Sequence, residues 1–253
     1  MNDVKCELFH DHFQNAKQYN LRPAQMLLTD IPYNLGQNFN ASRPAWYVGN
    51  DRRNGESKLA HKAAFHTDYS FNIPNFFAFC SRLLKPEPSR GEKDAPCMIV
   101  FCSFQQLPLV IEEAAKYGFK KYYPLIFCKK SSGQVLKANM KIVGATEYAL
   151  VLYRDKLPKF RNVGDDGQKH MILNWFPWEK DPRDIPRIHP TQKPIGLLRR
   201  LIEIFTDPGD VIIDPCAGSG STLRAARELG RHSYGFESSR EFYEKATGQM
   251  LGA

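Results

Sequence analysis

The run Asp214-Pro-Cys-Ala-Gly-Ser-Gly-Ser-Thr222 lies between the strand-like Val211-Ile212-Ile213 and a helix-like stretch from Leu223 to Leu229. Strand, glycine turn and helix in succession are how an α/β fold builds a cofactor pocket. The glycines permit a tight turn and close backbone approach to a ligand, and the helix start offers free N–H groups. Such pockets usually come first in their chain. Here the turn comes late, and another distinctive string, Asp30-Ile-Pro-Tyr33, stands far upstream.

Short apolar runs alternate with helix-like segments along the rest of the chain. Strands are predicted at Cys6–Phe9, Met26–Thr29, Cys97–Cys102, Pro124–Phe127, Tyr148–Tyr153, Val211–Ile213 and Ser233–Phe236. Helices are predicted at Ile73–Leu84, Leu107–Tyr117, Pro194–Phe205, Ser221–Leu229 and Ser239–Met250. In Pro194–Phe205, Leu197, Leu198, Leu201, Ile202 and Phe205 form one apolar stripe, with Pro194 suited to a first turn and Asp207-Pro-Gly-Asp210 to a stop. The alternation implies a doubly wound α/β fold, a mainly parallel sheet covered on both faces. Between Lys120 and Tyr153 two strands follow without an obvious helix, so an antiparallel hairpin is expected at one sheet edge. The irregular stretch from Asn34 to about Tyr69 exceeds the ~15 residues usual for a structureless loop, and loops of that length are commonly functional or disordered.

With 253 residues and 42 % apolar content, the chain suits a single domain over residues 1–253. No apolar run approaches the ~20 residues of a membrane span, and Met1-Asn-Asp-Val-Lys-Cys-Glu lacks a signal-peptide core. A soluble cytoplasmic protein is expected. The cysteines 6, 80, 97, 102, 128 and 216 form no C-x-x-C pair, so reduced thiols are expected and a metal is not. The net charge of +8 is weak by itself, but its distribution is more informative. Nine Lys/Arg face four Asp/Glu between Lys129 and His170. Arg43, Arg52, Arg53, Lys58 and Lys62 are interleaved with Phe39, Trp46, Tyr47, Phe65 and Tyr69. Basic groups suit phosphates and aromatic rings suit bases.

A glycine turn alone could serve NAD, FAD, a phosphate ligand or S-adenosylmethionine. The chain lacks G-x-x-x-x-G-K-[ST], which argues against a nucleoside triphosphate, and D-P-x-x-G-S-G-S-T is not G-x-G-x-x-G. The next strand, Ser233-Tyr-Gly-Phe-Glu237, ends in a carboxylate that can take two hydrogen bonds from ribose hydroxyls.

Just upstream lies His189-Pro-Thr-Gln-Lys-Pro194. This string, followed by Asp214–Thr222, resembles the cofactor half of the bacterial and phage amino-methyltransferases of DNA. Asp30-Ile-Pro-Tyr33 resembles their catalytic D-P-P-Y motif, with Ile31 in place of the first proline. Because the catalytic motif precedes the cofactor motif, the chain resembles the beta group, a circularly permuted arrangement. The likeness runs from about Cys6 to Met250. It implies a seven-stranded Rossmann-like methyltransferase sheet and S-adenosyl-L-methionine as cofactor. It also implies that Pro190, Thr191 and Lys193 line the methionine end. Asp214, Cys216, Ala217, Gly218, Gly220, Ser221 and Thr222 would shape the pocket, and Glu237 would hold the ribose. Asp30 would stand at both the cofactor and the target, and Asp11, after the first strand, near the adenosine or target base.

The resemblance also gives each residue of the tetrapeptide a task. An exocyclic amine is a poor nucleophile because its lone pair is conjugated with the ring. The Asp30 carboxylate and the Ile31 carbonyl would accept its two N–H bonds, Pro32 would stiffen the turn, and Tyr33 would stack on the base. Asp rather than Ser at position 30 favours adenine N6 over cytosine N4. Cytosine N4, an RNA substrate and a catalytically inactive nucleic-acid binder are the competing readings. Double-stranded DNA would be read by loops within residues 34–69 and 129–187, with Asn34, Arg43, Trp46, Arg52, Arg53, Lys129, Lys130, Lys137, Lys141 and Arg161 as candidate contacts. The resemblance admits a homodimer, and a cognate restriction enzyme or none; no residue decides either.

Overall fold

Strands buried on both faces read as unbroken apolar runs, and Cys97–Cys102 is the clearest: all six residues are buried. In the computed structural model, which describes residues 4–34, 70–130, 135–137, 142–164 and 166–252, this run is β3 of a large sheet. Its companions are β1 (Cys6–Phe9), β2 (Met26–Asp30), β4 (Lys121–Lys129), β7 (Thr146–Tyr153), β8 (Trp175–Trp178), β9 (Val211–Asp214) and β10 (His232–Phe236). The strand order is β1-β10-β9-β2-β3-β7-β4-β8, and a separate ribbon pairs β5 (Val135–Lys137) with β6 (Ile142–Val143). The five strands from β1 to β3 run parallel, β7 is antiparallel to both its neighbours, and β8 is parallel to β4.

Side chains on successive residues of a strand point to opposite faces, and each face has its own core. Leu28, Ile99, Phe101 and Ile212 pack with helices α3 (Ile195–Phe205) and α4 (Ser221–Glu228). Leu27, Met98, Val100 and Ile213 pack with α1 (Ile73–Cys80) and α2 (Leu107–Lys116). The stripe expected on α3 is buried, and Ile195 and Ile204 join it. Each fully buried aliphatic side chain contributes about 1.5–3 kcal/mol. The last helix, α5 (Arg240–Lys245), runs into a π-helical turn at Ala246–Met250, which the sequence reading had as one continuous helix.

The α/β, mainly parallel architecture is the expected one, with two corrections. The sheet has eight strands, not seven, and the β4–β7 hairpin is not at the edge because β8 lies outside β4. Trp175-Phe-Pro-Trp178 carries a proline, which has no N–H to donate to a ladder and so suits an edge strand. Position matters more for function. The chain leaves β9 through α4 towards β10 on one side, and leaves β2 towards β3 on the other. The order therefore reverses between β9 and β2, and the crevice outside their carboxyl ends is where open α/β sheets bind ligands. No helix among the described residues is long and apolar enough to cross a membrane.

Candidate active site

The glycine turn forms one wall of that crevice. Asp214, the last residue of β9, is buried. Its Oδ1 accepts from Thr29 Oγ1 at 2.8 Å and from the Cys216 N–H at 3.1 Å, tying the turn to β2. Burial pushes its carboxyl up to about 6. Gly218 and Gly220 adopt φ of 51° and 76°, the left-handed region that disfavours side chains, and Gly220 caps α4. At the end of β10, Glu237 Oε2 accepts from the Gly218 N–H at 2.9 Å and Oε1 from the Ser239 N–H at 2.7 Å. Burial raises this carboxyl to about 7. Each oxygen keeps a lone pair for a further donor.

The other wall begins where β2 ends. Asp30 Oδ2 accepts from Lys193 Nζ at 2.5 Å, whereas its buried Oδ1 has no hydrogen-bond partner among the described residues. Burial is the largest influence on Asp30 and, with the nearby Glu147 charge, outweighs Lys193 to hold it at about 6. The Ile31 N–H donates to the Phe101 carbonyl at 3.2 Å and its side chain is buried in the core. A proline at position 31 could not make that bond, which gives the departure from D-P-P-Y a local structural role. Gln106 Nε2 donates to the Pro32 carbonyl at 2.9 Å and fixes the turn from α2's side. The Tyr33 hydroxyl donates to Glu147 Oε2 at 3.4 Å, and burial raises its phenol well above the ordinary value.

A cavity of about 290 Å³ joins the two walls. Of the sequence-predicted residues, Asp11, Asp30, Ile31, Pro32, Tyr33, Thr191, Lys193, Asp214, Cys216, Ala217, Gly218, Ser221, Thr222 and Glu237 line it. Pro190 and Gly220 do not. A Cβ on Gly220 would face Ala246 and Leu251 instead, so that glycine shapes the turn from behind. Asp11 is held by Asn15 Nδ2 and the Tyr19 hydroxyl, at 2.7 and 2.8 Å. Sequence reading did not single out Phe71, Phe242 or the His189 ring as cavity wall. His189 packs on Phe242 at 4.3 Å between ring centroids, and burial lowers its imidazole to about 4, which keeps it neutral.

Among the candidate DNA contacts, Lys130 is exposed at the end of β4, while Lys129 pairs with Glu147 and lies 4.5 Å from the Trp178 ring centre. Asn34 is engaged in two hydrogen bonds with the Phe71 backbone, at 2.8 and 2.9 Å, which join the two ends of the 35–69 segment. Arg161 lies at the opposite end of the sheet. It binds Asp94 and Asp207, which precede β3 and β9, so its guanidinium is committed away from the crevice. Arg43, Trp46, Arg52, Arg53 and Lys141, and the side chain of Lys137, lie outside the described residues.

Known proteins resemble this chain in sequence and in fold. The chain is 27 % identical over 259 residues to the DNA adenine methyltransferase YhdJ of Escherichia coli K12, covering 95 % of this chain and 81 % of that protein. A 62-residue stretch is 42 % identical to the Type II methyltransferase M.HindIII of Haemophilus influenzae, over 24 % of this chain and 20 % of the other. In fold, the chain is similar to M1.HpyAVI in its SAM complex, with a TM-score of 0.64, 20 % identity, and coverage of 96 % and 98 %. It is likewise similar to the cytosine-N4-specific PvuII DNA methyltransferase, with a TM-score of 0.64, 13 % identity, and coverage of 99 % and 90 %. The family model described as DNA methylase, of N6 and N4 type, matches residues 24–248, and the chain belongs to that family.

Proposed function

We propose that the protein transfers a methyl group from S-adenosylmethionine to the exocyclic N6 of an adenine extruded from DNA. One observation carries this reading: Asp30 presents a buried carboxylate oxygen with no hydrogen-bond partner among the described residues, in the same cavity as the Glu237 carboxylate and the glycine turn. A buried acceptor left open costs about 1–3 kcal/mol, so its partner is expected to be a substrate.

The residues fit the cofactor. Glu237 would hold the ribose through its remaining lone pairs. Thr191 and Lys193 would border the methionine end, and His189 and Phe242 offer an apolar wall for a flat ring. When bound, S-adenosylmethionine supplies a methyl group on a positively charged sulfur. Asp30 Oδ1 accepts one N–H of the target amine and the Ile31 carbonyl the other. The nitrogen lone pair is thereby drawn out of conjugation and aimed. A carboxylate near 6 is ionised at neutral pH and close enough to take the departing proton. Tyr33 stacks on the base and recovers part of the few kcal/mol that extrusion costs. DNA recognition falls to the loops within residues 34–69 and 129–187, with Lys130 as an exposed candidate contact and Arg161 left out. Such work on DNA belongs to the cytoplasm of a bacterial cell or phage-infected host.

Adenine is favoured over cytosine by Asp30 and by the long match to an adenine methyltransferase. Transfer of tritium from labelled cofactor to DNA, with Asp30→Ala beside the parent protein, tests the assignment. Label in N6-methyladenine that is lost on substitution is the expected result. Label in N4-methylcytosine would move the target to cytosine, and undiminished transfer by Asp30→Ala would remove Asp30 from the reaction.

A further inference from the structure

Two half-buried carboxylates share one buried lysine in this site. Lys193 Nζ lies 2.5 Å from Asp30 Oδ2 and 3.1 Å from Glu147 Oε2. Glu147 stands near the start of β7, the antiparallel strand. That direction brings it to the end of the sheet where β2 and β3 finish, since the Cα partners are Tyr148 with Cys102 and Ala149 with Phe101. It also accepts from Lys129 at the end of β4 and from the Tyr33 hydroxyl. Withdrawing a carboxylate this far from water is costly without a partner, and here two ammonium groups compensate it.

Lys193 therefore divides its donors between two acids. Were Glu147 absent, the ammonium would be free to turn fully onto Asp30 and engage both of its oxygens. We propose that Glu147 is a positioning residue: it shares the Lys193 ammonium with Asp30, and so keeps Asp30 Oδ1 open for the amine of the target base. The role rests on the methyltransferase reading, but the geometry behind it does not.

Five groups act on the Asp30 carboxyl. Lys193 precedes α3, Glu147 lies on β7, Tyr33 follows β2, Cys102 ends β3, and Asp214 ends β9. Glu147 itself interacts with Lys193, Lys129 and Tyr33. Its negative charge opposes ionisation of Asp30, and it also draws on the cation that favours it. Replacing Glu147 by an isosteric neutral residue should thus make Asp30 more acidic and at the same time occupy its open oxygen.

The test is a ¹³C-carboxyl NMR titration of the free protein, with the Asp30 signal assigned by its loss in Asp30→Asn. The parent carboxyl is expected to titrate near 6. In Glu147→Gln the midpoint should fall by roughly 0.5–1 pH unit, and in Glu147→Asp, which keeps the charge but shortens its reach, by less. If Glu147→Gln does not fold, Glu147→Asp alone must still show a displaced midpoint. Methyl transfer measured in parallel should show kcat reduced about tenfold by Glu147→Gln, with KM for the cofactor little changed. A midpoint unmoved in every folded variant would overturn the proposal, because a merely structural Glu147 would change melting and not titration. Loss of transfer in the parent protein would instead refute the methyltransferase reading and leave the titration interpretable.

Discussion

The substitution Gly235→Ala probes how tightly the cofactor turn is built. Gly235 lies in β10, and a Cβ there would stand 2.7 Å from Leu223 Cδ1 and 3.0 Å from Ala217 Cβ. Carbon atoms settle at about 3.5–4.0 Å, so close to 1 Å must be recovered by movement. Leu223 is completely buried in the first turn of α4 and Ala217 belongs to the glycine turn, so neither neighbour has free space. Overpacking of this kind costs about 1–3 kcal/mol. For a chain of this size each kcal/mol is worth about 2–4 °C, and a cost of ~2 kcal/mol lowers the melting temperature by roughly 4–8 °C. Ala217 is part of the cavity wall, so affinity for S-adenosylmethionine should fall with stability. Gly196→Ala is the matched control. Gly196 sits exposed in α3 with nothing within 4 Å of an added Cβ, and helix propensity alone predicts a gain of about 0.5–1 kcal/mol. Differential scanning calorimetry reads both melting temperatures, and titration calorimetry reads the affinity. If Gly235→Ala melts at or above the parent protein, or if the two variants move in the same direction, the packing argument is wrong.

Glu237→Gln should weaken S-adenosylmethionine binding about tenfold or more at pH 8, because bonds to a charged acceptor are worth ~1.5–3 kcal/mol. In the parent protein the affinity should decline as pH falls through about 7, where Glu237 protonates, and the variant should lose that dependence; calorimetric titration between pH 6 and 8.5 measures both. Arg161→Ala should lower urea-measured stability by up to about 1 kcal/mol, a modest figure because Asp94 and Asp207 are each 40 % exposed. Its DNA affinity, followed by fluorescence anisotropy, should stay within about twofold of the parent (a larger loss would put Arg161 on the DNA after all).

The features that determine the fold are local, and local patterns were readable. Val211–Asp214, the glycines and the helix-like run that follows them announce one wall of the site within twenty residues. Strand β8 was not legible because Trp175-Phe-Pro-Trp178 has neither alternation nor a proline-free run, and its pairing depends on a partner 49 residues away. Arg161 was misjudged for a related reason. A basic stretch reads the same whether it faces DNA or internal acids, and only the fold brings Asp94 and Asp207 to it. Glu147 left one trace, an acid near the head of the otherwise apolar Thr-Glu-Tyr-Ala-Leu-Val-Leu-Tyr153, but its link to Lys193 spans forty-six positions and no spacing rule predicts it.

The strand order has a consequence in time. Among the described residues β1 pairs only with β10, and Thr29 in β2 bonds Asp214 across 185 positions. At ~5–20 residues per second of synthesis, β1 waits roughly ten to forty-five seconds for its neighbour, and one side of β2 stays open nearly as long. Non-local pairing of this kind is slow to form, and unpaired strand edges invite association with other chains. The order also acts as a safeguard. A growing chain carries Asp30 early but acquires the turn at Asp214–Thr222 and the Glu237 carboxylate roughly 180 to 210 residues later, so in the proposed mechanism a partly made protein has the carboxylate acceptor before it has the cofactor wall. The site is complete only once the late strands β9 and β10 lie between the early β1 and β2.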